Sequence, residues 1–479
     1  MKRQETAYSV VMDYFYEISK IPRGSYHEEQ IATYLEDFAH KRGLACYRDE
    51  IGNVLIDCPA TEGYESESPL LMQGHTDMVC EKNEGVVHDF LKDPLSLYEE
   101  NGWLRARGTT LGADNGVAVA IMLAALDGAL SPHPPLQCLF TVSEEVGLDG
   151  MKHFDMSRVY ARQMLNMDSA DESTVVVGCA GGLRSDLTLP VGREKEKKTL
   201  WTLRVNGLAG GHSGEDIHRG RANANQLLAE ALEQWMAGDS QMRLVKFYGG
   251  SKDNAIPREA TAIVSAEQEM KCVKELERRI RQGLCPEDIG FTLTLSPCAG
   301  ADLLPMDRSS SQKIVQFIRS VKNGVLAMCP NLPDLVEYSR NLAVVRTEED
   351  CVQITFSSRS AMEAQIDQSA AELDALAAEL GGSARHYSRY PGWSFEEKSP
   401  LRERYVAAYE SLFGRAPRME TIHAGLECGL AKEKIPDMDI LSCGPIILNL
   451  HSPDEAMDLA SLSRFVTIIG TLLRSRSDS

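Results

Sequence analysis

Apolar positions along the chain follow two rhythms, one helical and one strand-like, and they alternate. Helical spacing predicts an amphipathic helix over 8–20, stopped before Ile21-Pro22, where the proline ring disfavours continuation. A second helix runs from about Glu28 to Lys41, with Gly43 placed as a left-handed cap. Short runs at 45–48 and 54–58 read as strands, and 69–73 reads as a buried one. Residues 117–126 are almost continuously apolar, as in a buried helix, and 136–142 and 164–167 read as interior strands. Strands alternating with helices predict an α/β sheet with helices on both faces.

The pattern changes at 189–198, where PVGREKEKK forms a charged, solvated stretch. Strands at 200–205, 244–247, 261–265 and 291–295 then interleave with helices at 224–236 and 273–281. Helix 311–321, strands 342–346 and 352–356, helix 363–380 and strand 384–390 follow. This order is close to two β-α-β-β-α-β units, the second without a recognisable first strand. After Tyr390-Pro391-Gly392 the α/β pattern returns, with helix 401–412, strand 439–443 and helix 459–473. The expected organisation is a catalytic domain in two parts, 1–188 and 393–479, interrupted by an inserted α+β lid and dimerisation domain over 189–392.

Composition narrows the class of function more than it names one. The chain has 479 residues, 43% hydrophobic and 25% charged, as soluble globular proteins do. Its formal charge of -20 argues against nucleic acid or an anionic membrane as partner, since both select basic surfaces. No apolar run reaches the roughly 18 residues of a membrane span, and acids interrupt the apolar positions of the first thirty residues. The 12 cysteines are scattered without a CxxC pair, which reads as reduced thiols of a cytoplasmic enzyme.

Candidate chemistry sits where apolar strands end. His75 closes LLMQGHTDMV, with Asp77 two residues on, placed to accept the second ring N–H and fix the tautomer. Asp114 stands in RGTTLGADNGVA, loosened by Gly108 and Gly112; it reads either as a helix N-cap or as a carboxylate bridging two cations. Glu144 and Glu145 end an apolar strand in LFTVSEEVGLDGM, where a turn lets one bind metal and the other contact water; an exposed acidic turn is the alternative. Asp168 in NMDSAD and His451 in LNLHSPDE repeat the theme. In open α/β sheets, strand ends are where sites form. Imidazoles and carboxylates without thiols suit zinc, with manganese or cobalt as substitutes.

With GHTDMVCEKN, RGTTLGADNGVA, TVSEEVGLDGM, NMDSAD, GLAGGHSGEDIHRGRANAN, HAGLECG and LHSPDE together, the chain resembles the di-zinc exopeptidases that include aminoacylase and carboxypeptidase G. Within them it is most similar to a branch of dipeptidases with a long inserted domain. The resemblance implies His75 and Asp168 on one zinc and Glu145 and His451 on the other. It makes Asp114 the bridge, Asp77 the partner of His75 and Glu144 the general base, with a cis peptide bond after Asp114. It also implies substrate-holding roles for His212 in GGHSG, Asn254 in KDNAIP, Arg359 in SSRS, and His423 and Glu427 in HAGLECG. The expected activity is metal-dependent hydrolysis of dipeptides, with a preference for a C-terminal histidine implied by the resemblance alone, by a homodimer in the cytoplasm. The same chemistry on tripeptides or N-acyl amino acids is the nearest alternative. A non-catalytic peptide-binding protein is the other, and it has no use for an acid such as Glu144 beside the ligands.

Overall fold

Local signals set the ends of the first elements. The computed structural model describes residues 6–195, 198–329 and 332–476, so residues 196 and 197 of the charged stretch lie outside the described residues. Helix Ala7–Ile18 starts at Thr6, whose hydroxyl accepts from the Ser9 N–H while Ser9 reciprocates. Helix Glu29–Arg42 carries His40, Lys41 and Arg42 in its last turn and stops at Gly43, left-handed at φ 68°. Helix Ala113–Leu126 is buried at every position except Asp114, as its unbroken apolar run requires.

The chain divides into two compact units. The first comprises Met1–Gly178, Phe395–Thr421 and Leu426–Ser479; the second comprises Cys179–Ser394 and Ile422–Gly425. The first is built on an eight-stranded sheet in the order Ala45–Arg48, Val54–Cys58, Leu136–Thr141, Leu70–His75, Gln163–Asn166, Asp439–Ser442, Thr174–Cys179, Arg418–Ile422. Its centre, from Leu136–Thr141 to Asp439–Ser442, is parallel; Ala45–Arg48 with Val54–Cys58, Val54–Cys58 with Leu136–Thr141, and Asp439–Ser442 with Thr174–Cys179 pair antiparallel. All residues of Leu70–His75 and Leu136–Thr141 are buried, so both faces of these strands are covered. Helices Ala7–Ile18, Ala113–Leu126, Pro400–Phe413 and Leu459–Arg474 contribute to its hydrophobic core.

In the second unit the missing strand appears. Thr199–Asn206, helix Ala224–Gly238, Arg243–Gly249, Ala260–Ala266, helix Val273–Arg281 and Thr292–Pro297 form one β-α-β-β-α-β set. The other set is Gly181–Pro190, helix Arg308–Ser320, Leu332–Thr347, Cys351–Ser360, helix Glu363–Glu379 and Ser383–Tyr390. In each set the sheet order is second, third, first, fourth strand. The first strand of the later set therefore precedes the whole of the earlier set in the chain. The two sets join edge to edge where Tyr248 faces Arg346 and Gly249 faces Val345. Leu332–Thr347 is much longer than the expected 342–346 because its early half pairs in a hairpin with Gly324–Cys329.

Candidate active site

The parallel strands of the first unit end level with one another. His75 is in register with Thr141, and Gln73 with both Leu139 and Asn166. His75 is the last residue of its strand, and the loops that follow from the same row carry Glu144, Glu145 and Asp168. Asp114 enters at the start of helix Ala113–Leu126, where Asp114 and Asn115 have non-helical angles, the Asp114–Asn115 peptide is cis, and the cap residue is Gly112 with no side-chain cap hydrogen bond. His451 follows the short strand Ile447–Leu448 in a left-handed conformation, φ 60°.

Asp114 faces both histidines. Its Oδ1 lies 3.2 Å from His75 Nε2 and its Oδ2 lies 3.2 Å from His451 Nε2. Asp168 Oδ1 is 3.6 Å from His75 Nε2, and Glu145 Oε1 is 3.1 Å from His451 Nε2. Ligand-type atoms of His75, Asp114 and Asp168 all lie within 4.8 Å of one another, as do those of Asp114, Glu145 and His451. A further group of the same size joins His75 to Glu144 and Glu145.

These residues fit divalent cations on the chemistry of the donors. His75 has carboxylate oxygen near both ring nitrogens, Asp77 at Nδ1 and Asp114 and Asp168 at Nε2. A neutral imidazole has one N–H to give, and once Nδ1–H serves Asp77 the Nε2 lone pair points at two acids. A cation between them removes that conflict. Without one, burial pushes the His75 imidazole down, yet the hydrogen bonds its ring donates to Asp114, Asp168 and Asp77 outweigh it and hold the ring protonated well above its usual range. Burial raises Asp168, with Asp114 adding repulsion, and burial likewise raises Glu145. Glu144 is pushed well above the carboxylate range, chiefly by burial, with the acids around it adding to the shift.

Buried polar residues brace this centre. Asp77 accepts from the backbone N–H of Glu144 at 3.0 Å and of Glu145 at 3.2 Å, and from the Ser25 hydroxyl at 2.8 Å. It therefore fixes the acidic turn as well as His75. Glu455, 2% exposed, accepts from the N–H groups of Leu111, Gly112, Ala113 and Asp114 at 2.8 to 3.4 Å. Arg23, 1% exposed, donates to the carbonyls of Thr76, Asp77 and Gly112, tying the His75 loop to the Asp114 loop. Glu28 accepts from the Ser143 N–H and hydroxyl, both at 2.8 Å. Sequence reasoning did not single out Arg23, Glu28 or Glu455; only the last lies in a quoted motif, LHSPDE.

The residues expected to hold substrate divide between the units. The HAGLECG motif is cut: His423 belongs to the second unit and Glu427 to the first, where it is fully buried. In the second unit, Arg359 donates to the Tyr390 hydroxyl at 2.9 Å and to the His423 carbonyl at 3.4 Å, and its Nε has no partner. Among the described residues no carboxylate pairs with it. His423 meets Ser339 at 2.7 Å, and burial, with Arg359 nearby, lowers its imidazole to about 3. His212 lies in Gly211–His212, which pairs with Ala255–Ile256 next to Asn254. Its Nδ1 accepts from the Gly214 and Glu215 N–H groups at 3.3 Å, so its proton sits on Nε2. Burial, followed by Arg359, lowers its pKa and keeps it neutral.

Comparison with known proteins agrees with this architecture. A model of Peptidase family M20/M25/M40 matches residues 71–475. The chain is 38% identical over 469 residues to the cytosol non-specific dipeptidase of Escherichia coli (strain K12), covering 96% of each. The crystal structure of aminoacylhistidine dipeptidase from Vibrio alginolyticus is 34% identical with a TM-score of 0.91, over 98% of this chain and 97% of that one. An aminopeptidase from Bacillus cereus shares the fold at 16% identity and a TM-score of 0.57, over 97% of this chain and 98% of its own.

Proposed function

The chain belongs to Peptidase family M20/M25/M40, and on that premise we propose that it hydrolyses dipeptides, those ending in histidine among them, at a centre of two divalent cations, with zinc as the first choice. The observation that carries the proposal is the Asp114 carboxylate, whose two oxygens stand at equal distance from His75 and His451. His75 and Asp168 hold one ion, Glu145 and His451 the other, and Asp114 serves both. When bound, such cations polarise a carbonyl and acidify water. Glu144 takes the proton from the attacking water and returns it to the nitrogen of the leaving amine.

The side chains that the resemblance marks for substrate holding keep those roles in this reading. Arg359, with a free Nε and no acid partner among the described residues, suits a peptide carboxylate gripped by two parallel N–H bonds. His212 offers Nε2–H to a substrate oxygen, and Asn254 and His423 complete the set. Histidine at the C-terminus of the substrate rests on the Vibrio relative's name, and a cytoplasmic location rests on the Escherichia coli one's. Among the described residues no helix is long and apolar enough to cross a membrane. The test is metal analysis joined to a panel of dipeptides, tripeptides and N-acyl amino acids, before and after chelation. Dipeptide turnover that disappears with the metal and returns with zinc is expected. Turnover indifferent to chelation, or confined to N-acyl amino acids, overturns the proposal.

A further inference from the structure

Behind the ligand row lies a second, wholly buried polar row. Gln73 is two residues before His75, Asn166 two before Asp168, and Thr141 ends the strand that leads to Glu144. These three side chains, with Ser442 on the next strand, are 0% exposed. Glu427, also 0% exposed, reaches them from the start of helix Glu427–Lys434. Its Oε2 accepts from the Thr141 hydroxyl at 2.8 Å and from Gln73 Nε2. Gln73 Oε1 accepts from Asn166 Nδ2 at 2.6 Å. Asn166 Oδ1 then accepts from the Ser442 hydroxyl at 2.6 Å and from the backbone N–H of Asp168 at 3.2 Å.

Every bond in this chain has one direction, and an acceptor at its Glu427 end sets it. Turning the Gln73 amide over would put oxygen against carboxylate at one side and N–H against N–H at the other. Packing alone does not account for the acid. The other oxygen, Oε1, is buried with no hydrogen-bond partner, and a half-satisfied buried carboxylate costs more than a neutral side chain of the same shape. What the charge can favour is cation occupancy at the nearby strand ends.

We propose that Glu427 is a positioning residue of the hydrolytic centre: through Gln73 and Asn166 it fixes the strand ends that carry His75 and Asp168, and its charge strengthens cation binding there. The proposal rests on reading that centre as a two-cation peptidase site. It gives Glu427 a task behind the ligands, through other residues, with no contact to substrate.

The test is Glu427→Gln in the full chain, measured by zinc competition with a chromophoric chelator, by thermal unfolding of the metal-free protein, and by kcat and KM on a dipeptide. Zinc affinity at one of the two sites is expected to fall by about tenfold, the usual scale for groups outside the ligand shell. KM should be unchanged while kcat drops. The metal-free variant should melt no lower than the wild type, since it loses a buried acid whose charged form burial already disfavours, lifting its pKa to about 7, and whose Oε1 is unpartnered among the described residues; a merely structural acid would lower that melting point and leave zinc affinity alone. A folded variant with wild-type zinc affinity overturns the proposal. Should Glu427→Gln fail to fold, Thr141→Val, which removes one donor to the same carboxylate, is measured the same way, and wild-type zinc affinity there overturns it equally. A wild-type protein that binds two zinc ions and cleaves no peptide defeats the peptidase reading, while the affinity comparison still decides this one.

Discussion

At the scale of single residues, the proposed centre separates groups that would hold cations from the one that would react. Glu144→Gln keeps size and shape, and the ligand sets at Asp114 do not depend on it. Two zinc ions per chain should persist while kcat falls by about 10²–10⁴-fold, the range general-base loss produces; unchanged turnover with full metal content would remove Glu144 from the base role. Glu455 does its work through the backbone, accepting four N–H groups of the Asp114 loop. Glu455→Gln sets an amide donor against that array and should cost about 2–3 kcal/mol in denaturant unfolding. Titration supplies another test. In the chelated protein, hydrogen bonds to Asp114 and then Glu145 push the His451 imidazole up to about 10 against burial. A folded pKa above the ordinary value of 6.5 means this stabilisation is complete below about pH 6.5 and is lost as pH rises toward 10. Metal-free protein should therefore melt progressively lower across that window, and His451→Gln should flatten the trend. An identical slope in the variant would show that His451 is not the titrating group.

At the scale of elements, the acidic turn depends on a close approach that admits only glycine. A Cβ on Gly150 would sit 2.3 Å from the Val142 carbonyl oxygen and 2.6 Å from Asn53 Oδ1. The same Asn53 receives the Val142 N–H and donates to the Gly150 carbonyl, each at 3.0 Å, closing the turn between the strand and helix Asp149–His153. Gly150→Ala should cost about 1–3 kcal/mol by overpacking and weaken zinc binding through Glu145; a variant with wild-type stability and metal affinity would show that the turn gives way freely. None of this is legible along the chain, because the clash partner is a backbone atom in a separate element. What was legible follows burial. Leu136–Thr141 and Val54–Cys58 announce themselves because apolar residues occupy both faces. Arg418–Ile422, RMETI, has exposed or half-buried positions throughout and carries no such pattern. Gly181–Pro190 does alternate, with Leu183, Leu187 and Leu189 buried, but its opening glycines and its distance from the rest of its set conceal its place. His75, Glu145, Asp168 and His451 stand out along the chain because each is a polar residue at or just beyond the end of an apolar strand, whereas Asp114 opens a helix. Arg23 and Glu28 do not stand out, since the groups they bind lie about fifty and more than a hundred positions away, backbone carbonyls for Arg23 and the N–H and hydroxyl of Ser143 for Glu28.

At the scale of the whole molecule, the segments that would share two cations all belong to one unit. His75, Asp114, Glu145, Asp168 and His451 lie in Met1–Gly178 and Leu426–Ser479, while Cys179–Ser394 carries none of them. Each unit has its own hydrophobic core, one built around helix Ala113–Leu126 and the other around the paired β-α-β-β-α-β sets. Ligand binding to the folded state raises stability in proportion to the logarithm of free ligand over Kd. Cations should therefore stabilise the first unit by several kcal/mol and leave the second nearly untouched, since in the unfolded chain these five donors are scattered over hundreds of residues. Calorimetry of the full chain should show two transitions, of which chelation lowers one and readdition of zinc restores it. Proteolysis of the chelated protein at the temperature between the two transitions should spare a fragment within 179–394. If chelation instead moves both transitions together, unfolding is cooperative across the units, and the metal centre stabilises the chain as a whole.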